Sequence, residues 1–292
     1  MGGFVLSVAL ETGAAPLSTA PAARWLIPDA DGYESWADNE LAFTRSRFRA
    51  DRAEPADMAP TPGADLVCLF DARLDNLDIL ASQLASGPAR EFGSREAFLS
   101  GYRRWGLACT EHLRGEFAFA LWDRTQRLLL AAGDPFGLRP LRFCRGEGNV
   151  LVGSRARALA ACLSQHPEWD RDVLTRYLDG DSSSFLTHTV YRGIQAVPPG
   201  HALIVSPDGT RIVRYFQPER FRAERYRRFE DYAERLYELL SAAVVRRCRA
   251  ASPIAVGLSG GVDSSSVASL VRPSRPRRPL RTSCHWAASR QC

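Results

Sequence analysis

Eight residues near the C-terminal end, Leu258-Ser259-Gly260-Gly261-Val262-Asp263-Ser264-Ser265, constrain this chain more than any other stretch. An apolar run, 254–256, precedes them, and a short helical pattern, 264–270, follows. The order is therefore strand, glycine-rich turn, helix N-terminus. Such a junction suits an anion, because the backbone N–H groups of the turn and of the first helical turn lack intrahelical partners and the helix dipole adds partial positive charge. Gly260 and Gly261 let the backbone approach a phosphate with no Cβ in the way. Ser259, Ser264 and Ser265 add hydroxyl donors. Asp263 carries the wrong charge to touch phosphate directly and is read as a ligand for Mg²⁺ bridging phosphate oxygens.

No Gly-Lys-Ser/Thr follows the glycines, so the stretch is not a Walker loop. It resembles the SGGxDS pyrophosphate loop of the ATP pyrophosphatase superfamily, which implies ATP as co-substrate, cleavage between the α and β phosphates and adenylation of an acceptor.

Composition narrows the class. The 292 residues suffice for one large domain or two ordinary ones. No apolar run reaches membrane-spanning length, and the apolar stretch 4–10 is read as a buried strand. All 38 basic side chains are Arg, so no Lys is available as nucleophile or Schiff base. A net charge of +5 is too small to point to nucleic acid. The seven Cys, with no C-x-x-C pair and mostly in apolar segments, fit reduced thiols and a cytoplasmic location.

Residues 1–216 read as one body of α and β elements. Strands are expected at 4–10, 66–70, 117–122, 127–132, 141–144 and 150–152, and a hairpin at 201–205 and 211–215 around Pro207-Asp208-Gly209. Helices are expected at 74–84, 95–105 and 170–178, with another N-capped by Ser154 and running to Leu163. Residues 44–64 look like a loop and 217–228 like a linker. The pattern 229–249 reads as an amphipathic helix with Tyr232, Leu236, Leu239, Leu240 and Val244 on one side.

Four further motifs share one pattern. Arg114-Gly115-Glu116-Phe117-Ala118-Phe119-Ala120-Leu121-Trp122-Asp123 resembles the GDFAFALWD strand of the asparagine synthetase family. Gly133-Asp134-Pro135-Phe136-Gly137-Leu138-Arg139-Pro140-Leu141 resembles its RDxFGxRPL turn. Tyr191–Ile194 with Val197–His201 is similar to its GIxxLPPGH segment, and Arg214-Tyr215-Phe216 to the RYW that closes its first domain. With the serine–glycine loop the resemblance spans about residues 66–270. It implies two domains. The first is a glutamine amidotransferase fold, an α-β-β-α sandwich of the N-terminal nucleophile type that releases ammonia from glutamine. The second is an α/β ATP pyrophosphatase domain that adenylates a carboxylate, which an amine then converts to an amide.

The same resemblance exposes three departures. The family's glutaminase uses a Cys directly after the initiator Met, where this sequence has Gly2, and its first Cys is Cys68. The family's oxyanion Asn aligns with Asp71, in the stretch Asp71-Ala72-Arg73-Leu74-Asp75-Asn76, and a carboxylate repels a developing oxyanion. The Asp expected to grip the glutamine amine is Glu116, after Gly115; Asn76 matches a later Asn of the pattern. Asp71, Ala72, Arg73, Asn76, Gly115 and Glu116 are thus a remnant of a glutamine pocket without glutaminase activity. Cys109 and Cys144 are expected to be core thiols, and His201 to make a structural hydrogen bond. Relatives lacking the terminal Cys include β-lactam synthetases and lasso-peptide cyclases, which use an amine within a small-molecule or peptide carboxylate substrate.

Beyond Leu270 the pattern breaks. The run 271–279 carries three prolines and is expected to end the helix, and 272–292 reads as an Arg/Pro-rich tail without strands. Only one strand of the ATP domain, 229–271, is expected, which suggests a shortened copy acting with a complementing C-terminal fragment or as a homodimer. The competing readings are an amide-forming ligase and a non-catalytic binding protein built on the sandwich.

Overall fold

The computed structural model describes residues 3–11, 13–47, 64–84, 93–146, 148–181, 183–248, 254–274 and 281–284. The chain divides into two units, residues 1–220 and 221–292.

Two antiparallel sheets build the first unit. One contains β1 (Phe4–Ala9), β2 (Gly32–Ala37), β3 (Leu41–Arg47), β7 (Arg142–Gly146), β8 (Asn149–Gly153) and β9 (Gln195–Ala196), in the order β2-β3-β1-β8-β7-β9. The other contains β4 (Leu66–Leu74), β5 (Gly115–Asp123), β6 (Leu128–Gly133), β10 (His201–Ser206) and β11 (Gly209–Arg214), in the order β11-β10-β6-β5-β4.

Strand periodicity dictates how they stack, since alternate side chains leave opposite faces of a sheet. Phe4, Leu6 and Val8 of β1, Leu41 and Phe43 of β3, and Val150 and Val152 of β8 meet Val67 and Leu69 of β4, Ala118, Ala120 and Trp122 of β5, and Leu203 and Val205 of β10. This is the layer between the sheets. The intervening residues of β5, Phe117, Phe119 and Leu121, face the other way, toward α1 (Leu77–Leu84) and α2 (Ser94–Trp105). Phe98 of α2 sits on Phe119 at 4.2 Å between ring centroids and on Phe70 at 5.1 Å. Behind the first sheet, Val5, Cys144 and Leu151 pack on α3 (Ala156–Ala160) and the 3₁₀ turn Ala20–Trp25. The four-layer α-β-β-α sandwich implied by the resemblance is the fold observed. Each large apolar side chain buried in these layers contributes roughly 1.5–3 kcal/mol.

Several expected boundaries change. The segment read as a loop from residue 44 begins inside β3, and residues 48–63 lie outside the described residues. Its polar side chains hid the strand. Thr44 is buried but bonds Thr19 (3.0 Å) and Ser35 (2.8 Å), and the Ser46 hydroxyl accepts from Gly3 N (2.7 Å). Buried hydroxyls with partners are tolerated where unpaired ones are not. Ser154 does not cap α3; its hydroxyl accepts from Phe4 N (3.2 Å), and the helix stops at Ala160. Asp170 does cap α4 (Arg171–Leu178), accepting from Val173 N at 3.1 Å.

The second unit contains α5 (Phe229–Arg247), β12 (Ala255–Leu258), α6 (Val262–Ser274) and β13 (Arg281–Cys284). Val244, Cys248 and Val271 are buried together, with Leu240, Ile254, Val256 and Leu270 against them. This cluster covers only the C-terminal half of α5, so Tyr232, Leu236 and Leu239 of the expected apolar side remain exposed. Two expectations for 271–292 are overturned. The helix continues past Pro273 to Ser274. The segment read as tail contributes β13, which pairs in parallel with β12 from Ala255↔Arg281 to Leu258↔Cys284. The unit thus holds a β-α-β crossover, not one strand. The sequence Arg281-Thr282-Ser283-Cys284 has no hydrophobic alternation that would announce a strand.

Among the described glycines, Gly115 leaves the least room for a side chain. It has φ +133°, and a Cβ there would lie 2.2 Å from the Arg73 carbonyl oxygen. Gly115→Ala is expected to destabilise the first unit by about 3 kcal/mol or more, read from the urea midpoint followed by tryptophan fluorescence.

Candidate functional site

The site in the first unit depends on the turn after β6. Asp134 is fully buried, and its carboxylate accepts from the backbone N–H groups of Phe136 (3.0 Å), Leu138 (3.1 Å) and Arg139 (2.8 Å). Its own N–H donates to Phe117 O (2.8 Å), and its carbonyl accepts from Gly137 and Gly200. The Tyr215 hydroxyl donates to Gly133 O at 2.6 Å. Burial, with the Asp134 charge nearby, pushes that phenol well above its usual range, so it stays a donor. Gly137, at φ +69°, lets the turn close on Pro199, whose Cγ would lie 2.9 Å from an added Cβ. These bonds fix the backbone of Arg139.

Asp71 and Arg73 continue the β4 side that carries Val67 and Leu69, and Glu116 continues the β5 side that carries Ala118 and Ala120. They therefore lie at one end of the inter-sheet layer, where the apolar core gives way to charge. Arg139 reaches both carboxylates. Its Nη1 donates to Asp71 Oδ1 (2.9 Å) and Oδ2 (3.1 Å), and its Nη2 stands 3.5 Å from Glu116 Oε2. The three side chains are only 10%, 15% and 19% exposed. Arg73 sits directly across the ladder from Glu116.

The structure thus brings Asp71, Arg73 and Glu116 together and adds Arg139, which the motif reading did not single out. The signal was present: two carboxylates drawn into one pocket need a buried cation, and the turn 133–141 carries an Arg. Two other members of the expected remnant stand apart. Ala72 faces α1 and α2. Asn76 holds backbone, its Nδ2 donating to His112 O (2.9 Å) and its Oδ1 accepting from Arg114 N (3.0 Å). Gly115 has the backbone role described above. Gly2 lies outside the described residues.

Five thiols are withdrawn from solvent. Cys68, Cys109, Cys144, Cys162 and Cys248 are all buried. Burial pushes both Cys109 and Cys144 up to about 12, with Cys162 adding to the shift at Cys144. His201 Nδ1 lies 2.8 Å from Pro199 O, a bond within its own turn.

In the second unit the strand, turn and helix fall where the Ser/Gly run requires. Leu258 ends β12, Ser259–Gly261 form the turn, and Val262 opens α6 with Asp263 in its first turn. Gly260 has φ +82°, the left-handed region that favours glycine. Ser264 Oγ ties the turn together: it accepts from Ser259 N (3.2 Å), lies 3.1 Å from Ser259 Oγ and donates to Gly261 O (3.2 Å). Ser259, Gly260, Gly261, Val262, Asp263 and Ser265 are exposed. The junction offers hydroxyl and first-turn N–H donors on an accessible surface, a donor set that fits an oxyanion. Among the described residues no group of three His, Cys, Asp or Glu could hold a metal. A cation at Asp263 would take its other ligands from phosphate and water, as Mg²⁺ does.

The family model described as glutamine amidotransferase domain matches residues 28–216, and that described as asparagine synthase matches residues 235–289. The chain belongs to the asparagine synthetase family, with an amidotransferase-type first domain. It is 30% identical over 246 residues to the Bacillus subtilis protein named asparagine synthetase [glutamine-hydrolyzing] 3, a match covering 82% of this chain and 40% of that relative. It is 34% identical over 180 residues to amidase chyE of Penicillium rubens, covering 60% of this chain and 26% of that one. Among solved structures, glutamine phosphoribosylpyrophosphate amidotransferase from B. subtilis aligns with a TM-score of 0.43 and 14% identity, over 97% of this chain and 59% of that one. The chain spans about two-fifths of the length of that Bacillus synthetase.

Arg139→Ala leaves two half-buried carboxylates with Arg73 as the nearby cation and is expected to cost about 1–3 kcal/mol in chemical denaturation. Asp71→Asn in that background should recover part of the loss. The buried thiols give a pH signature. Unfolded Cys109 and Cys144 ionise near 9.0, whereas folded they hold their protons to about 12. Stability is therefore full below pH 9.0 and falls as pH rises from 9.0 toward about 12, which a thermal-melting series across that range should show.

Proposed function

We propose that this chain is the amidotransferase-like body, and the phosphate-loop portion, of an ATP-dependent amide-forming ligase that does not hydrolyse glutamine. The observation carrying the ligase reading is the Leu258–Ser265 junction, which lies inside the segment matched by the asparagine synthase model. Ser259, Gly260, Gly261 and the first turn of α6 would hold phosphate oxygens of ATP, and Asp263 would hold Mg²⁺ there. The reaction class is attack by a small-molecule or peptide carboxylate on the α-phosphorus with departure of pyrophosphate. Ammonia or an amine within the substrate then attacks the acyl carbon, and AMP leaves.

The loss of glutaminase rests on the charged cluster. Asp71 supplies a carboxylate where an oxyanion needs a donor. Arg139 occupies the space between Asp71 and Glu116, joining the two groups that a glutamine zwitterion would otherwise meet. Cys68, the first Cys of the sequence, lies on the helix-facing side of β4, away from this end of the inter-sheet layer.

ATP–pyrophosphate exchange with a panel of amino-acid and peptide carboxylates tests the first half. Exchange is expected, and Asp263→Asn should reduce it on the order of a hundredfold. Its absence across the panel defeats the ligase reading. Incubation with glutamine tests the second half: no glutamate is expected, and its release would restore a working glutaminase.

A further inference from the structure

A second charged region lies at the other end of the sandwich. There β1 and β5 end, β7 turns into β8, and β10 turns into β11. A hollow of about 450 Å³ opens between the sheets, its lining including Leu10, Glu11, Trp122, Arg127, Arg145 and Pro207. A neighbouring hollow of about 390 Å³ shares Arg145 and adds Arg211. Volumes of this size suit metabolite-sized ligands.

We propose that the larger hollow is a binding site for a small oxyanion, a carboxylate or phosphate group presented to Arg127 and Arg145. The two guanidinium groups are each held by a neutral acceptor. Arg127 Nη2 donates to Leu10 O at 2.9 Å, and Arg145 Nη1 donates to the Thr210 hydroxyl at 2.6 Å. Neither forms an ion pair with a carboxylate among the described residues, and neither does Arg211. Arg124, three residues before Arg127, behaves differently, pairing with both Asp38 and Glu40. The tethers fix the forks while leaving N–H groups of each for a ligand, and a planar fork matches carboxylate and phosphate alike.

The backbone gives a second, independent observation. Arg127 has φ 49°, the only positive φ at a non-glycine position among the described residues. A long side chain in that region costs free energy, and glycine or asparagine would suit the β5–β6 turn better. The strained conformation directs the guanidinium back to Leu10 at the rim of the hollow. Glu11 is the one carboxylate of the described lining, against the two arginines Arg127 and Arg145. The apolar wall of Leu10, Trp122 and Pro207 suits the carbon body of an organic anion.

Isothermal titration of the full chain with citrate and with inorganic phosphate tests the assignment, chloride at matched ionic strength serving as the control. Saturable binding of at least one oxyanion is expected, and the anion that binds distinguishes a carboxylate from a phosphate ligand. Arg127→Asn, which keeps a residue tolerant of the left-handed backbone, and Arg145→Gln should each weaken it at least tenfold with the circular dichroism spectrum unchanged. Arg127→Gly, which suits the backbone better still, should lose binding while raising the melting temperature. Unchanged affinity in the Arg127 and Arg145 variants, no response to either oxyanion, or an equal response to chloride overturns the proposal.

Discussion

The layer shared by the two sheets is the constraint from which the first unit follows. The central strands bury both faces, one against the other sheet and one against helices, so β5 must be apolar at every position from Phe117 to Trp122. Such a strand cannot slip by one residue without exchanging the two layers: Phe119 would leave Phe98 and enter a space that Ala118 and Ala120 keep narrow. Register, stacking and helix placement are therefore coupled. The two charged regions lie at the ends, where the strands leave the layer.

At one end Asp134 organises a site. Its carboxylate collects three backbone donors and sets the path of the turn, and the turn sets Arg139 between Asp71 and Glu116. Removing the Arg139 guanidinium would leave Asp71 and Glu116 in a half-buried pocket with Arg73 as the nearby cation. At the opposite end Arg127 and Arg145 line a hollow and are held by neutral acceptors instead of carboxylates among the described residues. The second unit obeys different physics. Its serine–glycine turn joins β12 to α6 through Gly260 in the left-handed region and a Ser264 side chain bonded within the turn.

How much was legible in the sequence varies with the physics involved. The β5, β6 and β10 strands were legible because apolar runs bounded by turn residues leave few alternatives. The serine–glycine loop was legible because its chemistry is local, each residue acting on neighbours within five positions. β3 was not, since Thr44 and Ser46 look like loop residues until their distant hydroxyl and backbone partners are known. β13 was hidden for the same reason, its structure residing in hydrogen bonds to β12. Asn76 illustrates the converse: a matching residue type at a matching position is occupied in holding the backbone at 112–114.

By itself the sequence determined the family, the α-β-β-α class and the strand–turn–helix at the serine–glycine run, because these rest on apolar periodicity and on contiguous motifs. Tertiary structure alone decided that Arg139 joins Asp71 to Glu116, residues separated by 68 and 23 positions from it, and that Arg127 and Arg145 share a hollow. The physical reason is the same in both cases. Charged side chains at strand ends carry no periodic signal, and their partners are set by which strand ends the packed sheets bring together.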